Sequence, residues 1–60
     1  MKLRVIKVDD GWCNEFRVDD VCEADGEMVR SARTSSKYFL QPCGFEVSTG
    51  YSSVYFEEIE

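Results

Sequence analysis

The chain contains no histidine. This removes the commonest general base near neutral pH and a favoured zinc ligand, and it excludes any thiolate–imidazole pair. Proline occurs once, at Pro42. The four glycines at 11, 26, 44 and 50 are spaced like turns, so no glycine-rich loop is available to cradle a phosphate. Ser35, Ser36, Ser48, Ser52 and Ser53 have no base motif around them. Apolar runs are short, as at Val5-Ile6 and Val54-Tyr55-Phe56, against the ~20 residues a spanning helix needs. Arg4 and Lys7 interrupt the N-terminal apolar residues, so no export signal is expected. Cysteine is scarce and odd in number: Cys13, Cys22 and Cys43 cannot all pair within one chain and lack the CxxC spacing of a zinc site. The expectation is three free thiols in a reducing, cytoplasmic setting, no metal and no cofactor. Cys43, between Pro42 and Gly44, is the candidate reactive thiol.

What is present suffices for one small folded unit. Sixty residues, 43% of them hydrophobic and 13% aromatic, fit a single domain spanning 1–60. A chain of this size buries only about 60% of the surface its unfolded form exposes, so the core must be thin. Trp12, Phe16, Phe39, Phe45 and Phe56 can supply it.

Residues 2–8, KLRVIKV, are rich in β-branched side chains. Leu3 and Val5 point one way and Ile6 and Val8 the other, as expected of an inner strand. Asp9-Asp10-Gly11 then reads as a hairpin loop leading to a second strand over 12–18. There Trp12, Asn14, Phe16 and Val18 alternate with Cys13, Glu15 and Arg17. Over 27–40 a helical wheel gathers Met28, Val29, Ala32, Phe39 and Leu40 on one face and Arg30, Arg33 and Lys37 on its flank. Asp25 would cap that helix and Pro42 would end it. Against the helix, SARTSS has weak helical propensity, and Asp25-Gly26 is a hairpin signal that would join VCEA to EMVR. Phe45, Val47 and Thr49 alternate with Glu46 and Ser48, Gly50 marks a turn, and 53–59 forms a last strand. The expected fold is therefore α+β: a small antiparallel β-β-α-β-β sheet with one helix across a face. The alternative is an all-β small barrel.

The net charge of −5 is sorted into blocks. Lys2, Arg4 and Lys7 make residues 1–8 basic. Asp9, Asp10, Glu15, Asp19, Asp20, Glu23, Asp25 and Glu27, against Arg17 alone, make 9–27 strongly acidic. Residues 28–44 carry Arg30, Arg33 and Lys37 and no acid, and 45–60 are acidic again. The aspartate pairs of K-V-D-D at 7–10 and R-V-D-D at 17–20 fall at opposite ends of the expected second strand. At about 3.3 Å per residue this separates them by roughly 20 Å, too far to share an ion. They read as turn residues.

Pro42-Cys43-Gly44-Phe45-Glu46-Val47, following the expected helix, resembles the helix-to-strand junction of small phage inhibitors of bacterial RNA polymerase. The basic residues that such inhibitors carry just downstream are replaced here by Ser48, Thr49 and Gly50, and no functional residue is carried over. A short acidic chain without a catalytic set is similar in style to phage accessory proteins directed at host machinery.

These features lead to an expected function. The chain is a non-enzymatic protein-binding module whose acidic face, Asp9, Asp10, Glu15, Asp19, Asp20 and Glu23, occupies the basic surface of a nucleic-acid-binding partner as an inhibitor or regulator. Direct nucleic-acid binding through Arg30, Arg33 and Lys37 is the alternative, disfavoured by the acidic majority. A structural homodimer through Val54, Tyr55 and Phe56 is a third.

Overall fold

The computed structural model describes residues 1–12, 14–41, 44–49 and 51–59. Its elements are six strands: β1 (Lys2–Val8), β2 (Val21–Asp25), β3 (Met28–Arg30), β4 (Lys37–Phe39), β5 (Glu46–Ser48) and β6 (Ser53–Glu58). They form one antiparallel sheet in the order β4-β3-β2-β1-β6-β5. The sheet curls into a nearly closed barrel. Its two ends approach where the Gln41 amide donates to the Glu46 carbonyl at 2.8 Å.

No described residue is helical, so the α+β expectation is overturned in favour of the all-β alternative. The reason is local. Asp25 pairs with Met28 across a two-residue loop, and Gly26 takes φ 64 at the first loop position. Primed hairpin turns favour glycine there, and a right-handed helix cannot accommodate that angle. Ser35 also lies at φ 66. The residues that were to form the helix face do not share a side. Val29 is buried, Ala32 is exposed, and Phe39 is 73% exposed on the edge strand.

The expected strand over 12–18 is also absent. Trp12 and Phe16 do point inward together, but through a turn of helical type: the amides of Glu15 and Phe16 both donate to the Trp12 carbonyl, at 2.9 and 2.8 Å. A spacing of four residues satisfies a 3.6-residue period as well as a 2-residue one. Asn14 and Val18, which strict alternation would bury, are exposed. Residues 9–20 are thus the long connection between the neighbouring antiparallel strands β1 and β2.

The inner position of β1 is as expected from its sequence: it lies between β2 and β6. The pairing with β6 shifts register between Val5 and Lys7, placing a bulge at Ile6. The extra residue lets Leu3, Val5 and then Val8 face the interior, and it turns Lys7 outward. Without it, simple alternation would direct Lys7 into the core. The interior is completed by Cys22 and Ala24 of β2, Val29 of β3, Val47 of β5, and Val54 and Phe56 of β6. Trp12 and Phe16 drop in from the β1–β2 connection. Phe16 is fully buried and meets three rings: Trp12 at 5.8 Å, Tyr38 at 5.6 Å and Phe56 at 5.5 Å between centroids. Tilted and edge-on contacts of this kind are the favourable ones.

Candidate functional site

The six acids of the expected binding face are divided by the fold. Three are engaged within the chain. One Asp9 carboxylate oxygen accepts from the Ser53 amide at 3.0 Å, while the Asp9 amide donates to the Ser53 carbonyl, fastening the end of β1 to the start of β6. The Glu15 carboxylate accepts from the Thr34 hydroxyl at 2.6 Å and from the Tyr38 phenol. The two carboxylate oxygens of Asp20 accept from Arg33 Nε and an Arg33 terminal nitrogen at 2.8 and 2.9 Å, and the Arg17 amide donates to the first of them. The other three, Asp10, Asp19 and Glu23, are exposed.

The basic residues meet a similar fate. Arg33 is committed to Asp20. Arg30 and Lys37 lie directly opposite each other on β3 and β4, not along a helix flank. With Glu23, Asp25, Met28 and Val29 they line a shallow depression of about 270 Å³ on the outer face. In β1, Arg4 pairs with Glu57 through Nε at 2.8 Å, and the Lys7 ammonium lies 5.5 Å from the Tyr55 ring centre. Hydrogen bonding to Glu57 and its charge hold the Arg4 guanidinium above its ordinary pKa, with a smaller contribution from Asp19. Lys2 stands across from Glu23. The basic first block of the sequence is thus laid between acidic neighbours on both sides.

One node was not legible from sequence spacing. Ser31 is buried, donates its hydroxyl to the Glu15 carbonyl, and accepts from the amides of Arg33 and Thr34 at 3.2 and 3.3 Å. Together with Glu15–Thr34 and Asp20–Arg33 it ties the 9–20 connection to the 31–36 loop. Tyr38 belongs to the same node, and burial and the Glu15 carboxylate raise its phenol above the ordinary value near 10. The signal available in the sequence was the serine- and threonine-rich composition of 31–36, whose hydroxyls commonly bond nearby backbone.

Of the thiols, Cys22 is free and buried, and burial raises its pKa against an opposing hydrogen bond from the Ala32 backbone. Cys13 and the candidate reactive Cys43 lie outside the described residues, as does Pro42. The described residues contain no group of three or more Cys, Asp or Glu arranged to hold a metal ion. The described residues contain no helix long and apolar enough to cross a membrane. Of the residues suggested for a homodimer, Val54 and Phe56 are core and Tyr55 is half-buried. An open groove of about 500 Å³ lies at one end of the barrel between Met1, Gly26, Glu27, Leu40, Gln41, Gly44 and Phe45.

No protein-family model matches the chain, no curated protein matches its sequence, and no solved structure matches its fold. The strand preceding residues 42–47, where a helix was expected, removes the structural basis of the resemblance to phage polymerase inhibitors.

Proposed function

We propose that this chain is a small non-enzymatic binding module that occupies a basic surface on a protein partner, in a reducing, cytoplasmic setting. One observation carries the reading. The cations are largely set against acids or rings of the same chain, as in Arg4–Glu57, Arg33–Asp20 and Lys7 over Tyr55. The uncompensated charge is therefore carboxylate, and Asp10, Asp19, Asp25 and Glu27 are exposed. Free Cys22 fits a reducing compartment. A partner that normally holds nucleic acid offers the complementary surface, and occupying it would regulate or inhibit that partner.

A direct test compares two fluorescent probes, an arginine- and lysine-rich peptide and a DNA duplex, by anisotropy across a salt series. The peptide should bind at low salt and release as screening sets in within a Debye length of about 8 Å near physiological ionic strength. The duplex should not bind at any salt concentration. Duplex binding that falls linearly in log salt would replace this reading with direct nucleic-acid recognition.

A further inference from the structure

The sheet is left unsealed along β4, and this observation is independent of the charge reading above. On its inner side β4 is fully paired. The Leu40 amide donates to the Glu27 carbonyl and the Ser31 amide to the Ser36 carbonyl, with Tyr38 opposite Val29 between them. Backbone groups alternate sides along an antiparallel strand. Leu40, Tyr38 and Ser36 therefore face β3, and Phe39 and Lys37 direct their N–H and C=O groups to the opposite edge. Gln41, next in that outward series, reaches Glu46. Beyond that bond, no ladder joins β4 to β5 among the described residues. The side chains on this edge are Lys37 and the most exposed phenylalanine of the chain, Phe39.

We propose that β4 pairs antiparallel with β4 of a second copy, making a twofold dimer centred on Tyr38, with Lys37 opposite Phe39 of the partner subunit. The occupant follows from register. Only residues 37 and 39 offer free outward groups, so pairing requires these to face their counterparts. Centring on Tyr38 satisfies both at once, with four hydrogen bonds across the axis, and sets each ammonium beside a ring, a favourable cation–π arrangement. Centring on Lys37 opposes two ammonium groups. Centring on Phe39 places Lys37 against the partner's Gln41, whose amide is already given to Glu46. Lys37 thus guards the edge against other registers, the role lysine commonly plays on exposed strands. In the Tyr38-centred register the outer row Glu23–Arg30–Lys37 continues into Phe39, Met28 and Asp25 of the partner subunit, so no like charges meet across the new seam. A three-residue seam is smaller than a standard interface, so the dimer is weak and forms at high concentration.

Sedimentation equilibrium from about 10 μM to about 1 mM tests this, the upper bound being set by the weakness expected of so small an interface. Wild type should pass from monomer to dimer. Phe39→Lys, which sets lysine against Lys37, should weaken dimerisation at least tenfold. Phe39→Glu, which sets a carboxylate there instead, should preserve it or tighten it. Both substitutions fall at an exposed position and should leave the melting temperature near the parent value. A 13C-filtered nuclear Overhauser contact between Tyr38 α-protons in a mixed-label sample should report the same twofold axis without any substitution. Wild type that stays monomeric at 1 mM overturns the proposal and leaves the edge to some other strand. Equal loss with both variants overturns it in favour of nonspecific apolar contact through the ring.

Discussion

At the scale of single residues, Phe16 closes the interior by meeting Trp12, Tyr38 and Phe56. Phe16→Ala should cost roughly 3–5 kcal/mol, a large share of the roughly 5–15 kcal/mol that holds a small domain together. Chemical denaturation should show a loss of cooperative unfolding; an unchanged midpoint would place Phe16 outside the core. Tyr38 gives a pH signature. Its folded phenol pKa is raised by burial and Glu15, so the associated stability is fully present below the ordinary value near 10. That stability is lost as pH rises through the higher folded value. Tyr38→Phe should remove one late-titrating phenolate from an ultraviolet titration and soften the alkaline loss of stability. Cys22, buried with a raised pKa, should react slowly with a thiol reagent in the native protein and rapidly after denaturation.

At the scale of elements, β1, β5 and β6 were legible and the β3–β4 hairpin was not. β1 and β6 run seven and six residues, enough periods for β-branched and aromatic residues to declare themselves. β3 and β4 have three residues each, too few to distinguish a period of 2 from one of 3.6. Between them lies a hydroxyl-rich loop whose order comes from Ser31 and from contacts with distant Glu15 and Asp20. The Trp12–Phe16 spacing misled for the same reason of ambiguous period, although it correctly marked both residues as core. The decisive local cue was Gly26. Its added Cβ would meet nothing within 4 Å, so the cost of Gly26→Ala is conformational alone, roughly 1–2 kcal/mol for a left-handed angle. Gly26→Asn should cost less. Urea midpoints for the pair check this, and equal values would mean that the turn does not depend on its positive φ. Ser31→Ala leaves the Glu15 carbonyl and the Arg33 and Thr34 amides without their partner at a part-buried node and should cost about 1–3 kcal/mol by the same measurement.

At the scale of the whole molecule, topology redistributes the charge that the sequence presents in blocks. The basic stretch that becomes β1 is laid between β2 and β6, where it meets Glu23 and Glu57. The chain order of charges therefore identified the acidic surplus but not its location. Half of the six acids singled out from the sequence act as internal fasteners. Asp25 at the end of β2 and Glu27 within the β2–β3 turn, both outside that set, remain exposed. No pairing rule readable from one sequence separates Asp19, exposed, from Asp20, bound to Arg33, because the distinction depends on a contact across thirteen residues.

The claim that exposed carboxylates carry binding is tested most directly by two matched neutralisations, each measured against the cationic peptide at low salt. Asp10→Asn, Asp19→Asn and Glu27→Gln, combined, remove three exposed charges without touching Asp9, Glu15 or Asp20. Asn tolerates the positive φ of 76 at position 19. Lys2→Gln, Arg30→Gln and Lys37→Gln, combined, remove three cations. The acidic set should slow association strongly, because charges at a rim act chiefly on the encounter rate, while the melting temperature stays near the parent value. The basic set should leave association as fast or make it faster. An acidic set that binds at the parent rate, with association abolished by the basic set, would contradict the account.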